Sequence, residues 1–247
     1  MSKDLEIIKE LESKLPQVNY KINNNNKAPY LHYEIDNNNK VTYLAMSFSS
    51  INRDLELIGK LTSLKELCFT SNYVTTIQNL GSLTNLQVLN LSGNQITTIE
   101  GLENLINLKY LALDWNNITK IQGLDKLTKL QNLGIYHNKI TEIKGLDKLT
   151  NLQELYLSDN QISKIESLDK LVNLQELHLG WNYITEIKGL DRLTKLKKLH
   201  LRDNKISTIQ GLKKLANLQE ISFEENNIPE KEIKQFKNNN PKIKVYA

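Results

Sequence analysis

From Leu64 onward the chain repeats one arrangement of apolar and polar positions every 22 residues. Counted from Leu86, apolar side chains occupy positions 1, 4, 6, 11, 14, 17 and 20: Leu86, Leu89, Leu91, Ile96, Ile99, Leu102 and Leu105. Leu108, Leu130, Leu152, Leu174 and Leu196 open further copies without insertion or deletion. Leu64 opens an earlier copy, and Leu218 a last one that leaves the pattern after Ile228. Positions 3 to 7 alternate polar and apolar, the period of a strand buried on one face. A fixed period of this length predicts a stacked solenoid whose units each supply one strand and one helix-like turn. A single unit buries too little apolar surface to offset the entropy of ordering its backbone. The units must therefore stack, and both ends of the stack need caps.

Two polar positions are as regular as the leucines. Position 9 is Asn72, Asn94, Asn116, Asn138, Asn160, Asn182, Asn204 and Asn226. A side-chain amide both donates and accepts, so a column of them is expected to bond the backbone where each strand turns away. Position 16 is usually glycine (Gly101, Gly123, Gly145, Gly189, Gly211), as a tight turn requires. The flanks read as caps. Leu5, Ile8, Leu11 and Leu15 have helical spacing, and two strands, Tyr30–Asp36 and Val41–Phe48, flank the turn-forming Asn37, Asn38 and Asn39. Residues 1–40 are thus a helix-and-hairpin cap. Residues 41–217 are repeats, with a worn first unit at 41–63 (Val41, Leu44, Met46, Ile58, Leu61). Residues 218–247 hold the last repeat and a C-terminal cap built on Ile228, Ile233, Phe236, Ile243 and Val245. Asn23–Asn26 and Asn238–Asn240 are expected to be exposed turns.

The 22-residue unit closing on Ile-x-Gly-Leu-x-x-Leu-x-x resembles the leucine-rich repeat, of the subclass found in the regulatory subunit of type-1 protein phosphatase and in bacterial internalins. The resemblance covers about residues 41–228. It implies an α/β protein: a right-handed horseshoe with a concave parallel sheet, a convex side of 3₁₀ or irregular segments, and a helical N-terminal cap. It also implies a protein-binding module.

Composition narrows the chemistry. A formal charge of +4 on 247 residues does not announce a nucleic-acid binder. The single cysteine, Cys68, cannot close an internal disulfide, and no cysteine or histidine spacing suggests zinc. The N-terminal residues carry charges every few positions with no apolar run of signal-peptide length, and no stretch is apolar enough to span a bilayer. A reducing, cytoplasmic location and a monomer are expected, with no cofactor and no membrane contact.

The variable positions carry the functional signal. Positions 3, 5, 7 and 8 face the concave side, with 2 and 10 at its edges. Between Leu64 and Asn217 the aromatics at variable positions are Tyr73, Tyr110, Trp115, Tyr136, Tyr156, Trp181 and Tyr183. All fall in the concave group, which random scatter would produce roughly once in several hundred trials. Strand propensity accounts for Tyr110, Tyr136 and Tyr156 but not for Trp115 and Trp181, just past the strand. His137, His178 and His200 join them. On positions 3, 5, 7 and 8 nine acids face two bases, Lys198 and Arg202, against a basic remainder. An acidic, aromatic wall repels phosphate backbones and suits a protein partner of basic or mixed surface.

Tyr110, Trp115, Tyr136, Tyr156 and Trp181 are therefore the expected anchors. Asp114, Asp159, Glu176 and Arg202 are expected to orient the partner, His137 to join the aromatics of the binding face, and His178 and His200 to lend pH sensitivity near neutrality. Adjacent His178 and His200 with Glu176 lack a third well-placed metal ligand, so solvent-facing histidines are the simpler expectation. Cys68 has no base within reach for nucleophilic work, and the repeat offers no enclosed pocket, so no enzyme is expected. On the convex side Lys120, Glu142, Lys164 and Glu186 alternate at position 13 and Lys144, Glu166 and Lys188 at position 15. Opposite signs should meet across repeats as stacking register. A phosphatase-regulatory role is one specific version of the protein-binding reading. An internalin-like surface adhesin and a structural or designed array without an evolved ligand stay open beside it.

Overall fold

The computed structural model describes residues 2–15, 30–47 and 55–247. The asparagines at 23–26 and residues 48–54 of the worn first repeat lie outside the described residues.

Helix α1 (Lys3–Lys14) starts where the Ser2 hydroxyl accepts the Leu5 N–H. Its inward residues are Asp4, Ile7, Ile8 and Leu11, whereas Leu5 and Leu15, expected in the stripe, are only partly buried. Asp4 sets that rotation. Its buried carboxylate accepts the Val41 N–H at 3.0 Å and pairs with Lys40 at 3.3 Å, clipping the helix to the hairpin. Strands β1 (Tyr30–Ile35) and β2 (Val41–Ser47) pair antiparallel around a turn in which Asp36 accepts the N–H groups of Asn38 and Lys40.

From β2 the sheet is parallel and follows chain order. After the short helix α2 (Leu55–Ile58) come β3 (Glu66–Thr70), β4 (Val88–Asn90), β5 (Tyr110–Ala112), β6 (Asn132–Gly134), β7 (Glu154–Tyr156), β8 (Glu176–His178), β9 (Lys198–His200) and β10 (Glu220–Ser222). Each strand pairs with the next at a register of one repeat, so Leu111, Leu133, Leu155, Leu177 and Leu199 stack in one buried column. The repeat leucines and isoleucines form one continuous core from α1 to β10. The convex side is a run of tight turns, Leu105 N–H to the Leu102 carbonyl and Leu108 N–H to Leu105, that packs leucines inward without a regular helix.

The strands are shorter than their alternation suggests: from β4 on they occupy positions 3 to 5 only. Position 8 then turns the chain, taking a left-handed backbone in every copy: Ser71, Gly93, Trp115, His137, Asp159, Trp181, Asp203 and Glu225 all have φ between 52° and 71°. Only one of the eight is glycine. The asparagine at position 9 then turns inward. Asn160 Nδ2 donates to the Ile135 carbonyl of the preceding repeat at 2.9 Å and to Leu157 in its own. Its Oδ1 accepts the Ile140 N–H at 2.9 Å. The same bonds recur at Asn94, Asn116, Asn138, Asn182 and Asn204. Position 16 is also left-handed, and a Cβ on Gly123 would lie 2.6 Å from the Ile99 carbonyl oxygen.

Two expectations are corrected at the ends and on the back. Asn238 and Asn239 close helix α3 (Glu230–Asn239), and Asn240 caps it by donating to the Phe236 carbonyl. A further strand, β11 (Lys244–Tyr246), adds parallel to β10 and extends the sheet. On the convex side the close ion pairs form within one repeat, Glu142–Lys144 and Glu186–Lys188, each at 2.6 Å. Positions 13 and 15 of one loop are nearer than the corresponding side chains of stacked loops.

Candidate protein-binding face

Parallel pairing at one repeat per strand converts each variable position into a column running along the concave side. In the position-8 column Trp115 and His137 stack with ring centroids 3.7 Å apart. His137 Nδ1 bonds the Asp159 carboxylate in the next repeat. Tyr136 meets Trp115 edge to face at 5.6 Å. Trp115 nonetheless remains 52% exposed. Tyr110 stands beside this group, exposed, at position 3. Asp114 reaches under it, accepting the Tyr136 N–H at 2.7 Å, and glycine at 134 leaves the space the carboxylate fills. Burial there pushes the Asp114 carboxyl above the usual carboxylate range.

Farther along, the position-5 column stacks Tyr156 on His178 at 4.6 Å and His178 on His200 at 4.3 Å, with an interplanar angle of 17° for the histidine pair. These rings are flanked by the position-3 column. Tyr156 donates to Glu154 at 2.7 Å, Glu176 pairs with Lys198 at 2.7 Å, and His178 Nε2 lies 3.6 Å from Glu176. The histidines are not solvent-facing as expected: the His178 side chain is only 24% exposed. Burial, with His200 beside it, drives the His178 pKa down to about 4, and burial lowers His200 as well. The expected pH sensitivity near neutrality is corrected accordingly, since both rings are neutral at pH 7.

Trp181, three repeats from Trp115, is 47% exposed, and the Arg202 guanidinium lies 5.6 Å from its ring centre. The expected residues therefore form two groups: Tyr110, Asp114, Trp115, Tyr136, His137 and Asp159 toward the middle, and Tyr156, Glu176, His178, His200, Trp181 and Arg202 toward the C-terminal end. Trp115 and Trp181 do not touch. Tyr73 and Tyr183 sit exposed at the edge, Tyr183 under Lys205. Cys68, half-buried beside Glu66, has its thiol pushed up by burial.

Glu154, Lys198, Glu220 and Glu224 entered the sequence reading only as charges of the concave positions, yet they hold or border the ring stacks. Their common signal is a shared column with the aromatics, readable once the one-repeat register is applied. A depression of about 350 Å³ opens among Trp181, Arg202, His178, His200, Glu220 and Glu224. A larger hollow of about 1190 Å³ lies off this face, between the last convex loop and α3 at Leu212 and Phe236. Among the described residues there is no cluster suited to hold a metal ion. No helix among them is long and apolar enough to cross a membrane.

Comparison with known proteins agrees with this architecture. The profile described as leucine rich repeats (2 copies) matches residues 84–126, 128–169, 150–192 and 194–238. Among solved structures, internalin InlF of Listeria monocytogenes superimposes with a TM-score of 0.69 at 30% identity, over 78% of this chain and 57% of its own. Internalin C2 of the same organism gives 0.65 at 36% identity, over 70% of this chain and 76% of its own. A leucine-rich-repeat protein of Leptospira interrogans gives 0.62 at 29%, over 77% and 56%. The chain thus spans little more than half the length of two of these three structures. No curated protein matches it in sequence.

Proposed function

The chain belongs to the leucine-rich-repeat family, and from that premise we propose that it is a protein-binding module whose concave face seats a partner of basic or mixed surface charge. Members of the family are generally non-enzymatic protein-interaction scaffolds. The observation that carries the reading is the placement of tryptophan at 115 and 181. Position 8 has a left-handed backbone that a bulky side chain adopts at a cost of about 1–2 kcal/mol. Glycine at 93 shows that the repeat accepts the unstrained residue. About half of each indole stays exposed, so folding leaves much of its apolar surface free for a partner. Rigid, half-exposed aromatics on one face are what anchors of an interface look like.

The proposed partner docks on a monomer and needs no cofactor. The acidic columns disfavour nucleic acid, and a reducing, cytoplasmic setting suits a lone, half-buried thiol. A phosphatase is one specific candidate partner, and a host-surface protein, in the manner of an adhesin, is another. Capture from extract tests the common core: wild type beside Trp115→Ala/Trp181→Ala and a convex Lys120→Glu/Lys164→Glu variant. Loss of the same partner with the tryptophan pair alone supports the concave face. Its loss with the convex pair alone overturns the assignment.

A further inference from the structure

The depression at the C-terminal end of the concave face has a definite chemistry. Its floor is low because Ser158, Gly180 and Ser222 are small. Its walls are flat rings, the stacked His178 and His200 on one side and Trp181 on the other. Two carboxylates, Glu220 and Glu224, line it against one cation, Arg202. Of the cations that border it, Lys198 is engaged with Glu176 at 2.7 Å, and Lys244, the neighbour of Glu220 on β11, lies over the Tyr246 ring at 4.6 Å. The histidines are neutral at pH 7, since burial lowers both, so they do not cancel the carboxylates.

Two atoms in this site are unexplained by the fold. Glu224 Oε2 is buried and accepts no hydrogen bond, and His178 Nε2 is likewise buried without a hydrogen-bond partner. Arg202 and Glu224 occupy the same column in adjacent repeats, yet among the described residues they form no ion pair within 4.0 Å. The guanidinium lies toward Trp181 instead. A buried carboxylate oxygen without a donor is costly, so turning the Glu224 carboxylate toward the depression that it lines, where a donor can meet it, gives up no hydrogen bond of that oxygen.

We propose that this depression receives an arginine side chain of the bound protein, its guanidinium donating to Glu224 and Glu220 and lying flat against the ring walls. The proposal rests on the concave face being the docking surface, and it names one feature of the partner. Arginine fits better than lysine. A planar fork can satisfy two carboxylates and stack on rings at once, whereas an ammonium is a point charge on a stem too thin to fill the space between them. One added positive charge balances the pair of carboxylates against Arg202.

The test uses the full chain, isotope-labelled for amide NMR, titrated with N-acetyl-arginine methylamide, its lysine counterpart and the neutral, nearly isosteric citrulline derivative. The arginine probe should saturate shifts at the Gly180 and Ser222 amides and the Trp181 indole N–H. Citrulline should bind roughly tenfold more weakly or worse, as should arginine to Glu224→Gln, because a charged hydrogen bond is lost in each case. Lys164→Glu, on the convex side, should leave the titration unchanged. Absent shifts, equal binding of citrulline or lysine, or full affinity in Glu224→Gln would each overturn the arginine assignment. Partner capture that is lost with Trp115 but indifferent to Glu224→Gln would remove the pocket while leaving the concave-face reading standing.

Discussion

His137 stacks on Trp115 at 3.7 Å between ring centres and is itself tied to Asp159, so one repeat holds an exposed indole and the next holds the ring that holds it. An anchor fixed in advance loses less entropy on binding. Trp115→Ala is therefore expected to weaken a captured partner by about 30-fold, corresponding to about 2 kcal/mol. His137→Ala, which leaves the indole in place but free to move, should cost about three- to tenfold. Neither change should shift thermal unfolding by more than about 2 °C, since both residues are substantially solvent-exposed. Titration calorimetry with the captured partner checks both; an inert His137→Ala would show that the stack does not prepare the indole.

The asparagine column makes a different kind of prediction. Asn160→Ala leaves the Ile140 N–H buried without a partner, at about 1–3 kcal/mol, and leaves the Ile135 carbonyl only its longer bond from Asn138 at 3.3 Å. A total loss of about 2–4 kcal/mol in urea unfolding is expected. Asn173 also bonds a preceding repeat, donating to the Thr150 carbonyl, but on the exposed convex side. There water replaces the lost amide, and Asn173→Ala should cost no more than about 0.5 kcal/mol. Equal losses at the two sites would mean that the inner column is not what locks the repeats.

The regular parts of this molecule were legible in the residues because every repeat votes on them. Seven apolar positions, the asparagine at 9 and the glycine at 16 recur, and all do in space what their spacing implies. What escaped was either hidden by residue identity or decided by packing. The left-handed backbone at position 8 is masked because tryptophan, histidine, aspartate and glutamate occupy it where glycine would have signalled it. Burial of His178 and His200 depends on how closely their rings pack with Tyr156, which side-chain periodicity cannot convey. Strand β11 is a single unrepeated segment, and its pairing comes from the open edge of β10 rather than from any pattern of its own. Of the candidate site, the columns followed from the register, while the depression beside Trp181 depended on small residues at 158, 180 and 222 happening to adjoin.

Position 16 offers a stabilising change. Ser167 holds a φ of 58° where five other repeats place glycine. Ser167→Gly should raise stability by about 0.5–1 kcal/mol, the relief of a left-handed serine less the added freedom of the unfolded chain. The reverse experiment is Gly123→Ala, which forces a Cβ to within 2.6 Å of the Ile99 carbonyl oxygen and should cost about 2 kcal/mol or more. Urea midpoints measured side by side decide the matter; a destabilised Ser167→Gly would mean that the serine hydroxyl contributes more than its backbone costs.

The buried histidine stack links stability to acid. His178 is faced by the rings of Tyr156 and His200, by Glu176 at 3.6 Å and by Lys198 beyond it, with Glu220 at 3.7 Å from His200. Burial dominates, and it places the folded pKa at about 4 against an ordinary 6.5. The unfolded chain therefore binds a proton that the folded chain refuses between those values. The contribution is complete above about pH 6.5 and is lost as the pH falls toward 4, on the order of 3 kcal/mol in all. Carboxylates titrate in the same window, so the measurement is a difference between wild type and His178→Gln, whose amide cannot take up the proton. Wild-type unfolding free energy should fall more steeply than the variant's from pH 7 to pH 4.5, with the gap closing by about 2–3 kcal/mol. Parallel curves for the two proteins would place the His178 proton affinity near its ordinary value and leave the ring accessible to water.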